Sequence, residues 1–144
     1  MTEDVEWLRR AFRDVPRCRI ATMRPDGGPY VAVRWFVWLE DALWVATSMS
    51  DSTWEHVGRD PRVSILIDRG RDWMELAGVR VEGVAEGMPA EHPDLREPMS
   101  AWHEKYRSLL AGEGFERMTS TIRSLGFLRV APSRIDTWDH RLES

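Results

Sequence analysis

With 144 residues, 42% of them apolar, the chain suits a single domain spanning 1–144 around one core. Its net charge of −4 is spread as interspersed acidic and basic residues, which leaves no broad basic footprint for nucleic acid. No apolar run reaches the ~18 residues of a membrane helix, the N-terminus is charged rather than signal-like, and the lone Cys18 permits no intramolecular disulfide. A cytoplasmic protein without membrane association is the expectation.

Residues 3–14 read as a helix: Glu3 and Asp4 suit its positive end, Val5, Leu8 and Phe12 form one apolar stripe, and Pro16 stops it. Residues 18–24 alternate as a strand up to Pro25-Asp26-Gly27-Gly28, a strong turn signal. A β-branched and aromatic run over 30–39 turns near Glu40-Asp41 and returns over 43–48, so two consecutive hairpins are predicted. Ser50, Asp51, Ser52 and Thr53 offer N-caps for a short helix that ends at Asp60-Pro61. Strands are predicted over 62–68 and 73–86, where Gly78 and Gly83 point to bulges or to a ligand's close approach. Helical patterns over 92–110 and 113–125 follow, and two short strands, 127–130 and 135–138, flank Pro132. The order αβββαββααββ, with connections short enough for hairpins, points to a mainly β, mostly antiparallel sheet or barrel with flanking helices.

On the strand over 30–39, one face would hold Tyr30, Ala32, Arg34, Phe36 and Trp38, the other Val31, Val33, Trp35, Val37 and Leu39. Both faces are largely apolar, so one should fill a barrel and the other be covered by a helix or a second subunit. Eight tryptophans are also many for a core this small, and some should line a pocket or an interface. A homodimer follows as an expectation.

Several familiar chemistries are absent: there is no Gly-rich phosphate loop, no G-x-S-x-G elbow and no H-E-x-x-H. His56, His92, His103 and His140 are scattered, with His56 nearest to a candidate site. That site is the segment 47–53, where Thr47, Ser48, Ser50, Ser52 and Thr53 place five hydroxyls between a strand end and a helix start. Such a place can hold a phosphate, or can be an ordinary polar turn with redundant caps. Of the 20 cationic residues only Lys105 is a lysine, so any anion would be held largely by arginine or neutral donors.

Between residues 19 and 86 a set of short pieces recurs in order. They are Ile20-Ala21-Thr22, Pro25-Asp26-Gly27-Gly28-Pro29-Tyr30, Trp35-Phe36-Val37-Trp38, Leu43-Trp44-Val45-Ala46-Thr47, Asp60-Pro61-Arg62-Val63 and Gly78-Val79-Arg80-Val81-Glu82-Gly83-Val84-Ala85. Together with Pro132-Ser133-Arg134-Ile135-Asp136-Thr137-Trp138 they resemble the pyridoxamine-5′-phosphate-oxidase-like, or flavin/deazaflavin oxidoreductase, split-barrel family. The helical region 92–125 matches poorly and reads as an insertion. The resemblance implies a homodimer of split β-barrels with a cofactor in each of two interface clefts. The ring would lie against Val33, Arg34, Trp35 and Phe36, the phosphate would be held by Thr47, Ser48, Ser52 and Thr53, and Trp138 would approach from the partner.

One departure stands out: the phosphate turn, basic in members that bind cofactor well, here reads Asp51-Ser52-Thr53, with Arg34 and Arg80 as candidate replacements. Three readings stay open. The first is an FMN-dependent oxidoreductase acting on a small organic substrate. The second is a reductase using the deazaflavin coenzyme F420, whose longer anionic tail could meet Arg59, Arg62, Arg69 and Arg71. The third is a non-enzymatic binder of haem or a hydrophobic ligand, with His56, Cys18 or His140 as possible axial groups.

Overall fold

A computed structural model describes residues 2–110, 112–121 and 125–142. Turn chemistry sets the first hairpin: β1 (Cys18–Met23) pairs antiparallel with β2 (Pro29–Arg34). Gly27 adopts φ 86°, and the Gly28 N–H donates to Asp26 Oδ1 at 2.8 Å. A second hairpin joins β3 (Phe36–Trp38) to β4 (Leu43–Ser48). β5 (Arg62–Arg69), β6 (Ala77–Met88) and β7 (Leu125–Asp139) complete one curled seven-stranded antiparallel sheet in the order β2-β1-β5-β6-β7-β4-β3. This is a split β-barrel.

The two hairpins are therefore at opposite edges of the sheet, and the expected single strand over 30–39 is two strands parted at Trp35. Its carbonyl accepts from the Ala46 N–H at 2.9 Å, while the next N–H, that of Phe36, donates to Tyr106 Oη at 2.8 Å. The chain crosses there from one half of the barrel to the other. As a result β2 leaves Val31 and Val33 62% and 50% exposed, whereas Phe36, Val37 and Trp38 are all buried.

Two apolar clusters explain the burial. The barrel interior is filled by Ile20, Phe36, Trp38, Val45, Ile65, Ile67, Val79, Val81, Leu128 and Val130. Leu8 and Phe12 from α1 (Thr2–Phe12) and Val57 from α2 (Ser52–Arg59) close it. On the other side of β3, β4 and β7, residues Val37, Trp44, Ala46 and Phe127 pack against α3 (Arg96–Leu109) and α4 (Glu113–Thr121) through Trp102, Tyr106 and Phe115. That half of the sheet is covered on both faces, so its strands are apolar without alternation.

Further differences have local causes. The segment 73–75 is a 3₁₀ turn rather than strand, because the Glu75 carboxylate accepts from the Arg71 and Asp72 N–H groups at 3.4 Å each. Pro132 does not divide the last strand: a register shift between Glu82 and Gly83 sits opposite it, and the bulge absorbs the missing donor. The helix predicted over 113–125 ends by Thr121, and 122–124 lie outside the described residues.

Gly83 marks that bulge, but Gly78 makes room for this chain's own Trp138, whose ring lies where a Cβ would stand. Gly78→Ala is expected to push the half-buried ring aside at a cost of about 1–3 kcal/mol, read as a lower urea midpoint with an unchanged m-value. An unchanged midpoint would show that Trp138 has another position of equal energy.

Candidate functional site

The end of β2, the crossing at Trp35, the end of β4 and the N-cap of α2 meet in an open cleft of about 270 Å³. Val33, Arg34, Trp35, Thr47 and Ser48 line it, five of the residues picked out from the sequence. Ala46, Asp51, Trp102, Met118 and Leu125 complete the wall. Trp35 presents an aromatic side: it stacks on Tyr106 with centroids 4.3 Å apart and planes at 9°, and lies 5.8 Å from Trp102.

The remaining four candidates stand elsewhere. Phe36 is fully buried in the barrel and does not line the cleft. Thr53 is buried behind Arg34, and the exposed Ser52 faces a neighbouring hollow beside Tyr30 and His56. Trp138 lies 13 residues along β7 from Leu125 and does not line this cleft. The strand register does put it on the outer sheet face that Val33 shares: Val33, Arg19, Leu66, Arg80 and Asp136 form one row, and Asp68, Gly78 and Trp138 the next.

The polar end of the cleft centres on Arg34. Its Nη1 donates to the Val33 carbonyl at 2.8 Å, and its Nη2 donates to Thr53 Oγ1 at 3.1 Å and pairs with Asp51 Oδ2. Asp51 also caps α2, its Oδ1 accepting from the Thr53 N–H at 2.9 Å. The acid of the turn 51–53 is therefore both a helix cap and the counter-ion of an arginine, and Arg34, not Arg80, stands at this turn. Arg80 is on the outer face with Asp136 at 3.0 Å and Glu82 at 3.8 Å. Arg62 is held by Asp60 at 2.7 Å and Arg69 by the Ala11 carbonyl at 2.8 Å, and neither they nor Arg59 and Arg71 line the cleft.

Free donor capacity remains. Arg34 Nε and Trp102 Nε1 are buried without partners, and the buried Thr47 hydroxyl makes one long contact, 3.5 Å, to the Ser48 carbonyl. Ser48 Oγ lies 2.9 Å from Ser50 Oγ. Hydroxyls, a guanidinium and flat aromatic walls are a donor set that fits a planar ring bearing a polar tail.

Behind the wall is a polar clamp that sequence reasoning did not find. Tyr106 Oη accepts from the Phe36 N–H and donates to the Pro16 carbonyl at 2.7 Å. Lys105 Nζ donates to the Phe36 carbonyl at 2.9 Å and sits 3.6 Å from the Phe36 ring centroid. Burial pulls the Lys105 ammonium down to about 7, and pushes the nearby Cys18 thiol up to about 12. The one available signal was that Lys105 is the only lysine among so many arginines. His56 is also buried, bonded through Nδ1 to Thr22 Oγ1 at 2.9 Å, with Tyr30 edge-on at 5.0 Å.

Among the described residues no group of histidines, cysteines and carboxylates could hold a metal ion, and no helix is long and apolar enough to cross a membrane. Among solved structures the chain is similar to the conserved hypothetical protein Rv2991 from Mycobacterium tuberculosis, at 27% identity and TM-score 0.77, covering 94% of this chain and 84% of that one. It is also similar to the haem storage protein HutZ from Vibrio cholerae (16%, TM-score 0.70, 95% and 92% covered). A FAD-binding protein from Mesorhizobium loti follows (17%, TM-score 0.68, 92% and 90% covered). No curated protein matches. The family model for pyridoxamine 5′-phosphate oxidase matches residues 5–139, nearly the whole described barrel and its helices, and the chain belongs to that family.

Proposed function

We propose that this chain is a flavin-type oxidoreductase, a cytoplasmic homodimer that binds FMN in the cleft and acts on a small organic substrate there. The observation that supports it best is the cleft itself, where Thr47, Ser48 and Arg34 face the same space as the Trp35 and Trp102 rings. Trp35, Trp102 and Met118 would flank the ring, and Thr47, Ser48 and Arg34 with its unpartnered Nε would hold the polar tail. Bound flavin supplies hydride transfer; these side chains orient it and exclude water on one side.

The cleft of one chain, about 270 Å³, falls short of the ~300–1,000 Å³ of a complete ligand pocket. The exposed Val31 and Val33 on the outer face beside the cleft support a dimer in which a second copy covers that face and completes the cleft. Haem is disfavoured, since none of the described lining residues is a histidine, cysteine or tyrosine. The deazaflavin F420 is the second reading, and its longer anionic tail would meet one cation among the described lining residues, Arg34, which Asp51 already pairs.

Titration of the purified chain with FMN, F420 and haemin, followed by tryptophan fluorescence beside gel filtration, tests the proposal. Saturable quenching at micromolar FMN or F420 by a dimer is expected. Quenching by haemin alone, or by none of the three, would overturn the oxidoreductase reading.

A further inference from the structure

We propose that Asp51 is a specificity residue that cancels the preference this cleft would otherwise have for a ligand ending in a doubly charged phosphate over the same ligand with a neutral or singly charged end. The inference rests on the reading that a flavin-type ring occupies the cleft, and it names which kind of tail that ring may bear.

Among the described residues that line the cleft, Arg34 is the one cation and Asp51 the one carboxylate. They are paired with each other, with side chains only 19% and 25% exposed, so solvent screens them little and the polar end has no net charge. Arg34 is also largely committed. One terminal nitrogen serves the Val33 carbonyl, the other serves Asp51 and Thr53, and Nε alone lacks a partner. Asp51 cannot swing away cheaply, because its second oxygen caps α2 through the Thr53 N–H.

A phosphate monoester carries close to two negative charges at neutral pH. To reach Arg34 it must share the guanidinium with Asp51 at hydrogen-bond distance, where like charges repel. A hydroxyl end meets no such repulsion, and a phosphodiester with its single charge meets about half of it. In effect the carboxylate already stands where a second phosphate charge would go.

Riboflavin and FMN share ring and ribityl chain and differ only in the phosphate, so their affinity ratio isolates this end of the site. The full chain and its Asp51→Asn variant are titrated with both, following tryptophan fluorescence at pH 7.5. Asparagine caps a helix as well as aspartate does, which keeps α2 intact, and Asp51→Ser is a second capping variant. The wild-type protein is expected to bind the two ligands within about three-fold. Asp51→Asn should tighten FMN by about ten-fold or more, the gain of one charge-assisted phosphate contact, and change riboflavin little. A wild type that already prefers FMN by ten-fold, or a ratio unmoved in both variants, overturns the inference.

Inorganic phosphate separates this outcome from failure of the flavin reading. With ¹⁵N-labelled protein, phosphate should shift the Arg34 side-chain resonances in Asp51→Asn and not in the wild type. If neither flavin binds any form but that phosphate response appears, the role of Asp51 stands and the flavin reading falls. Equal phosphate responses in both proteins overturn the role of Asp51 whatever the flavins do.

Discussion

Truncating Trp102 to alanine is expected to lower stability by about 3–5 kcal/mol, the largest loss that any single change to the cleft should produce. Trp102 is 2% exposed and its ring meets five others: Tyr106 at 5.2 Å, His103 at 5.4 Å, Trp35 at 5.8 Å, and Phe115 and Phe127 at 6.4 Å each. Those neighbours belong to α3, α4, β7 and the crossing, so no single element can move inward to refill the space. Trp102→Phe should be far milder, below about 1.5 kcal/mol, because the indole Nε1 has no partner to lose and the ring volume largely remains. Urea unfolding of the two variants checks both numbers. Equal losses would mean that Nε1 is bonded after all and that the polar atom, rather than the packing, matters. The same pair reports on the site, because Trp102 is at once core and cleft wall: a folded Trp102→Phe protein whose flavin dissociation constant, read from flavin absorbance, is raised would show that the indole itself supports binding.

Much of this arrangement was legible in the residues. Asp26-Gly27 specified the first hairpin through a glycine at positive φ, and Arg62–Arg69 alternates buried and open positions as a half-covered strand should. Thr47 and Ser48 stood out as hydroxyls at a strand end before a helix cap, and the structure puts both on the cleft wall. The crossing at Trp35 was not readable. Nothing local breaks the run over 30–39; the break comes from Tyr106, seventy residues away, which takes the Phe36 N–H out of any ladder. Pro132 misled for the mirror-image reason, since its tolerance is supplied by a bulge at Gly83 on the neighbouring strand. The pairing of Arg34 with Asp51 had a similar standing. Both residues were conspicuous alone, but only the fold brings a strand end and a helix cap within one hydrogen bond of each other. Residues that act on the site through backbone, Lys105 and Tyr106, bear no motif at all.

Those two residues also predict how stability follows pH. Burial holds Lys105 near 7 against an ordinary 10.5, so between about pH 7 and 10.5 the unfolded chain binds a proton that the folded chain has released. Stability must then rise with pH through that window, by up to ~1.4 kcal/mol per unit and about 2 kcal/mol between pH 7 and 9. Cys18 works in the opposite sense: its thiol is pushed from 9.0 to about 12, so from pH 9 upward the unfolded chain loses a proton that the folded one keeps. Tyr106 is likewise raised above its usual 10.0 by burial and adds to the fall beyond pH 10. The three groups share one pocket under Phe36: Asp14 and Cys18 act on the lysine, and Lys105, Arg34 and Arg19 on the thiol. Urea midpoints are thus expected to climb from pH 7 to 9, level off where the lysine and thiol effects cancel, and drop above about pH 10.5. Lys105→Met should abolish the climb and leave the drop, because methionine fills the same space without a proton to lose. A wild-type profile that is flat from pH 7 to 9 would show that Lys105 reaches water and keeps its charge. The clamp on Phe36 would then be an ordinary surface contact, and the cleft wall would owe its position to Tyr106 alone.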